Sequence, residues 1–365
     1  MAFSKTIIAL SSLLALQTFA QDDGAYLDPK YPNLVHPKVS KLRIKGASRS
    51  DTVNVISFQT AIKSQQSRGT CSIFSATAYI EGLLVQKGDF QKDLDLSEEW
   101  LQYTAVGGST SDGSYATKNF NALKSFGIPF EKTLPYIGND WSESYSSEGE
   151  KRCGHLKDQY KKKACQIVHF DPALLRKTDT ELLDQTSPLF SPSFVEARTE
   201  AFDIRDRHIK FKTTAYSIYD TNQVKELLLQ GKPVVLESDF YYGAWNHRKA
   251  TELGIERNMD FWNKGIVTHP VPGSVDEANS RTAPAGHSIL VVGFDDEKIV
   301  EQNIKMKDGS TKKVRFKGVY YFKNSWGKDS FGRDFEVDGK KFPGYGMMVQ
   351  DYAHGYGSFY ILELK

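Results

Sequence analysis

The spacing of apolar residues changes character about halfway along the chain, and this constrains the fold more than any other feature. From Cys71 to Lys87 the residues Ile73, Phe74, Ile80, Leu83 and Leu84 recur at helical spacing, with Gly88 placed to end the helix. A second helix is expected from Leu96-Ser97-Glu98-Glu99-Trp100, where Ser97 can cap and the two glutamates suit the positive end of the dipole. A third is expected over 115–125, ended by Gly127. Beyond residue 208 the pattern alternates instead. Residues 209–219, 233–240, 287–294, 303–306, 312–322 and 357–364 read as strands, with a short helix over 224–231 and turns at Asp308-Gly309 and Asp338-Gly339. A helical half followed by a strand-rich half is an α+β arrangement, with any site expected in the cleft between them.

The chain has 365 residues, 39% hydrophobic and 12% aromatic, which is enough apolar surface for a large core and excludes wholesale disorder. Its 47 basic and 45 acidic side chains give a formal net charge of +2, without the basic excess of a dedicated nucleic-acid binder. Three cysteines are too few for a disulfide-dense scaffold. Residues 1–20 carry one charge, Lys5, then an apolar run over 7–16 and a terminal Ala20. This reads as a signal peptide cut after Ala20, predicting a secreted or periplasmic chain; an uncleaved anchor is the alternative. The run is short of the roughly 20 residues that span a bilayer, and no other stretch is apolar enough, so no membrane span is expected in the mature chain. Residues 21–53, punctuated by Pro29, Pro32 and Pro37, read as an extended leader packed on the surface.

One cysteine stands apart. Cys71 lies in Gln65-Gln66-Ser67-Arg68-Gly69-Thr70-Cys71-Ser72 at a helix start, where unpaired N–H groups and the dipole favour a thiolate, the nucleophilic form. A thiol nucleophile needs a base, and the base needs a partner that fixes its tautomer. His287 opens the apolar strand of Ala285-Gly286-His287-Ser288-Ile289-Leu290-Val291, and Asn324 lies in Lys323-Asn324-Ser325-Trp326-Gly327 directly after another strand. Asn324 can hold one ring nitrogen of His287 while the other faces Cys71, and Trp326 can shield that contact. Each residue alone has a bland reading as a buried core residue; the ordered set does not.

This set resembles the papain-like cysteine peptidases, and its bacterial members in particular. The resemblance rests on the Gln, Cys, His, Asn order, on the six-residue offset from Gln65 to Cys71 and on Asn-Ser-Trp-Gly, and it extends through Leu-Ser-Glu-Glu-Trp-Leu and Gly-His-Ser-Ile-Leu-Val-Val-Gly. It implies a two-lobed fold, with a helical N-terminal lobe, a β-barrel-like C-terminal lobe and the active-site cleft between. It also implies a hydrolase acting on a peptide or protein through a covalent acyl-enzyme, with no cofactor and no metal, as a monomer. Cys71 would be the nucleophile, resting as thiolate beside imidazolium; His287 would be the base and acid, and Asn324 the orienting residue. Gln65, with the Cys71 N–H, would form the oxyanion hole. Gly113 matches the first of two glycines that pair with an extended substrate, while Ser114 stands at the second.

The departures are informative. Cys71 and His287 are 216 positions apart, and Cys71 and Asn324 are 253 apart, against roughly 130 to 150 in the family signature. Ser72 follows the nucleophile where a Trp is usual, and Arg68-Gly69-Thr70 replaces Cys-Gly-Ser. The 44 residues between Ala20 and Gln65 are too few for a long helical inhibitory propeptide plus a normal mature start. The expected division is therefore a signal peptide (1–20), a leader (21–53), a helical lobe with Cys71 (54–138), an insertion (139–208) and a β-rich lobe with His287 and Asn324 (209–365). The insertion is charge- and serine-rich, reads as an addition outside the core, and is expected either to overhang the cleft as a lid or to bulge into solvent. Cys153 and Cys165 within it are expected to form a local disulfide; a zinc set with His155 and His169 is the rival. Lys161, Lys162 and Lys163 read as a solvated face. An exopeptidase with a blocked cleft, a catalytically silent binding protein and a transglutaminase-like acyl transferase are the competing functions; the last usually orients its base with Asp.

Overall fold

The computed structural model describes residues 52–212 and 215–365; the expected signal peptide, and all but the last two residues of the leader, lie outside them. The long helix occupies Cys71–Lys87 (α1) and stops at Gly88, whose φ of 85° is the left-handed conformation that closes a helix end. It is buried nearly all round, as a helix wedged between two lobes must be. Helix α2 (Glu98–Val106) starts at Ser97, whose hydroxyl accepts from the Trp100 N–H. Helix α3 (Ala116–Phe126) ends at Gly127, where a Cβ would meet the Ala201 carbonyl oxygen at 2.0 Å. Only glycine admits that approach.

Residues 139–208 form four more helices: α4 (Ser147–Cys153), α5 (Gln159–Val168), α6 (Asp179–Leu183) and α7 (Pro192–His208). They belong to the helical core. Helix α5 packs on α2 and α7 on α3, while Phe170 and Phe194, almost fully buried, meet Tyr103 at ring separations of 5.7 and 5.3 Å. The charge and serine that suggested an addition outside the core lie on the outer faces of these helices, and a few large apolar residues do the packing. Cys153 and Cys165, both buried, form a disulfide joining α4 to α5. The rival zinc set is not assembled: His155 Nε2 bonds Asp171, His169 Nδ1 bonds Glu99, and no cluster that could hold a metal occurs among the described residues. Lys161 and Lys163 are exposed, and Lys162 pairs with Glu150.

The second half builds an eight-stranded sheet. Its strands are β1 (Thr52–Asn54), β2 (Tyr216–Ile218), β3 (Val234–Asp239), β4 (Ile266–Val267), β5 (Gly286–Lys305), β6 (Thr311–Lys323), β9 (Tyr345–Val349) and β10 (Gly357–Ile361). Their order is β2-β10-β3-β5-β6-β9-β4, with β1 alongside β5, and every pairing is antiparallel except β4 with β9. A separate hairpin, β7 (Glu336–Val337) with β8 (Lys340–Lys341), turns at Asp338-Gly339, both with positive φ. Helices α8 (Thr221–Leu229), α9 (Met259–Asn263), α10 (Val275–Ser280) and α11 (Gln350–Tyr356) fill the connections. The strand expected over 209–219 is reduced to β2 and a single bridge from Phe211 to Leu364. Conversely, the strands expected at 287–294 and 303–306 are one strand, β5. The leader boundary at 53 falls inside β1, which pairs Val53 with Phe294.

Three contacts lock the halves together. Helix α1 packs on β5 and β3, the Tyr79 hydroxyl both donates to the Leu362 carbonyl (2.6 Å) and accepts its N–H (3.0 Å), and Lys323 Nζ donates to Thr60 Oγ1 and O at 2.9 and 3.0 Å. The result is an α+β molecule of two lobes with Cys71 on one and His287 and Asn324 on the other. Among the described residues no helix is long and apolar enough to cross a membrane.

Candidate active site

Cys71 is the first residue of α1, 5% exposed. Across the lobe boundary, His287 is the second residue of β5, and the antiparallel register that pairs Leu290 with Lys323 brings Asn324 opposite the start of that strand. His287 Nε2 lies 2.9 Å from Asn324 Oδ1, which also accepts from the Ser325 N–H. An amide oxygen only accepts, so Nε2 carries the ring proton and Nδ1 presents a lone pair. That Nδ1 is buried and has no hydrogen-bond partner. The next residue, Ser288, directs its backbone N–H at the Cys71 sulfur, as do the N–H groups of Ser72 and Cys71 itself.

Burial dominates the electrostatics. It pushes the Cys71 thiol up to about 12, outweighing the three N–H groups that favour the thiolate, with the nearby Glu237 charge adding to the rise. It brings His287 down to about 4 against the opposing bond to Asn324. In this enclosed conformation both shifts run against the expected thiolate and imidazolium. The helix-end N–H groups favour the anion, but enclosure removes the water that would solvate it, and that loss is the larger effect here. Trp326 stacks on the His287 ring at 4.6 Å, Trp245 meets it edge-on at 5.1 Å and Phe240 at 6.0 Å; Trp262 stacks behind Trp326 at 5.9 Å.

Gln65 is fully buried. Its N–H donates to the Ser325 carbonyl (2.8 Å), its Oε1 accepts from Ser325 Oγ (2.6 Å) and its Nε2 donates to the Arg68 carbonyl (2.7 Å). Gln66 is exposed with a φ of 52°. Gly113, with a φ of 107°, and Ser114 are half-buried on the strip that leads into α3, where the Ser114 hydroxyl bonds Asn119. Glu237 of β3 reaches across to the other lobe and accepts from Ala116 N at 2.7 Å. Sequence reasoning foresaw Trp326 over the His287–Asn324 contact but missed Glu237, the rest of the aromatic cage and the role of Ser325. The last was within reach, since it sits inside the Asn-Ser-Trp-Gly motif; the first two depend on the fold.

Fold and site together define a two-lobed molecule with a thiol, an imidazole and an amide at the lobe boundary. The family described as papain family cysteine protease matches residues 48–184. Chicken (Gallus gallus) cathepsin K is 34% identical over 94 residues, which is 26% of this chain and 28% of that protein, so the match spans little more than a quarter of the curated relative. Xylellain, a cysteine protease from Xylella fastidiosa, is similar in structure, with a TM-score of 0.52 over 94% of this chain and 98% of that one, at 17% identity. Residues 48–184 are accordingly similar in sequence to the papain family cysteine proteases, and the fold of both lobes is papain-like.

Proposed function

We propose that the chain hydrolyses peptide bonds in peptide or protein substrates, with Cys71 as nucleophile, His287 as base and acid and Asn324 as the residue that fixes the imidazole. The observation that carries this reading is the 2.9 Å bond from His287 Nε2 to Asn324 Oδ1, which leaves Nδ1 as the basic nitrogen next to the residue whose amide reaches Cys71. When substrate enters, Nδ1 takes the thiol proton as sulfur attacks the carbonyl carbon, and the carbonyl electron pair becomes an oxyanion. Gln65 and the Cys71 N–H stabilise it. Collapse breaks the C–N bond while the imidazolium returns its proton to the leaving amine, giving a thioester. Water, deprotonated by the same nitrogen, then releases the acid and restores the thiol. Gly113 and Ser114 offer backbone to an extended substrate, and Trp326 keeps water from the His287–Asn324 bond. The buried disulfide supports an exported location, because such bonds persist in oxidising compartments.

Hydrolysis of fluorogenic peptides, and labelling by a peptidyl epoxysuccinate, test the proposal with the wild type, Cys71→Ala and His287→Ala. Turnover and a single label on Cys71, both lost in Cys71→Ala, are expected. A folded wild type that neither turns over nor labels would make the chain a silent member of its family.

A further inference from the structure

We propose that Arg68 is a positioning residue, acting through Gln65, which ties the 139–208 segment and the Gly113 strip to the loop that carries the oxyanion donor. The inference rests on the peptidase reading. Arg68 stands midway between Gln65 and Cys71 and is 2% exposed. A buried guanidinium persists only where its charge and donors are met. Here they are met by partners from separate parts of the chain. Nε and Nη2 fork onto the Asp112 carboxylate at 3.2 and 2.7 Å, Nη2 also reaches the Ile167 carbonyl of α5 at 2.6 Å, and Nη1 donates to the Ile137 carbonyl at 3.2 Å. Nη1 is also 3.7 Å from Glu99 of α2.

The backbone of the same residue completes the link, because the Arg68 carbonyl accepts from Gln65 Nε2. Wherever the guanidinium is held, the plane of the Gln65 amide follows. The outer side of the loop is pinned as well. The Tyr136 hydroxyl donates to the Gln65 carbonyl at 3.0 Å, Ser67 Oγ donates to the Gly138 carbonyl at 2.9 Å, and a Cβ on Gly138 would come within 2.2 Å of the Gln66 amide. Glu99 carries the clamp into the 139–208 segment, bonding the Ile137 N–H at 3.0 Å and buried His169, whose Nε2 lies 3.0 Å from the Asn139 carbonyl. Only a planar fork with five donors serves Asp112, Ile137 and Ile167 at once. A lysine keeps the charge and drops most of the geometry.

The test measures kcat and KM per active site titrated with a peptidyl epoxysuccinate, so that a loss of folded protein is divided out. Arg68→Lys, Gln65→Ala and the double variant are compared with wild type, with Asp112→Asn as a second probe if Arg68→Lys folds poorly. Expected is a fall in kcat of about 10-fold or more in Arg68→Lys with KM within about twofold, since small displacements of a stabilising group are costly. The fall should vanish in the Gln65→Ala background, because the two residues act as one unit. An unchanged kcat per site, or an equal loss in both backgrounds, would overturn the positioning role. Absence of turnover in the wild type would instead refute the peptidase reading, and this inference with it.

Discussion

At Cys71, two effects of opposite sign meet on one sulfur atom. The start of α1 offers N–H groups that favour a thiolate, and enclosure by the two lobes removes the water that an anion needs. Burial wins in this conformation, for the imidazole as well as for the thiol. The alkylation rate of Cys71 by iodoacetamide is therefore expected to be low at pH 6 and to climb about tenfold per pH unit up to pH 9, following the thiolate fraction below its pKa. Mass spectrometry of the labelled site across pH would check this, and a flat profile from pH 5 upward would show an ion pair instead. Gln65 makes a second test, because its amide is held at both ends and so costs nothing to orient during reaction. Gln65→Ala is expected to lower kcat per titrated active site by about 10²- to 10³-fold, or ~2.7 to 4 kcal/mol, while a lowered unfolding temperature reports separately the loss of its bonds to Ser325 and Arg68. Both residues were legible in the sequence, since each sits in a short motif whose spacing is local. The enclosure of His287 was not, because it depends on Trp245 and Phe240, which come from a different strand connection and give no sign in sequence of covering that ring.

Among the elements, α3 begins without help from its own N-cap: Tyr115 makes no side-chain capping bond, and Glu237 of β3 supplies the acceptor from the opposite lobe. Burial pushes the Glu237 carboxyl up to about 8, opposed by its bond to Ala116. A carboxyl raised from 4.5 to about 8 on folding holds more protons in the native than in the unfolded state between those values, so its contribution to stability is full below pH 4.5 and is lost as pH rises toward 8. The groups facing it are the Cys71 thiol from α1 and the Tyr360 hydroxyl from β10, neither of which ionises in that window. Glu237→Gln keeps an acceptor for Ala116 and removes the titration. Urea unfolding at pH 5 and pH 8 is expected to show a smaller loss of stability in the variant; parallel losses would mean that other groups set the slope. Helices were read well where caps are local, as at Ser97, Gly88 and Gly127. The strands β4 and β9 were not foreseen: the first has two residues and the second is interrupted by Gly346, so neither shows a period long enough to recognise.

Over the whole molecule, the 139–208 segment decides how far the chain departs from a plain two-lobed design. The sequence indicated its extent through charge and serine content but not its place, because the exposed faces of α5 and α7 outnumber the few residues that pack. Those few are large. Phe194 of α7 is fully buried, with ring separations of 5.3 Å to Trp100, 5.3 Å to Tyr103 and 5.5 Å to Phe170, and Arg198 of the same helix donates to the Lys177 carbonyl at 2.8 Å. Removing the segment would uncover Trp100 and Tyr103 and take the Ile167 carbonyl from Arg68 and the His169 ring from Glu99, leaving both buried side chains with fewer of their partners. A deletion of 139–208 bridged by a short Gly-Ser linker is therefore expected not to fold, in place of the folded, substrate-shifted variant that a lid would give. Because a failed fold has many causes, the sharper measurement is Phe194→Ala, which leaves the chain intact. Truncating a buried aromatic costs about 3 to 5 kcal/mol through lost transfer energy and the cavity left behind. Denaturant unfolding followed by tryptophan fluorescence should show that loss, while the kcat per titrated site of the folded fraction stays near wild type, since Phe194 touches α2 and not the Gln65 loop. A loss below about 1 kcal/mol would mean that the cavity collapses easily or that the segment is only loosely docked, and would return the lid to consideration.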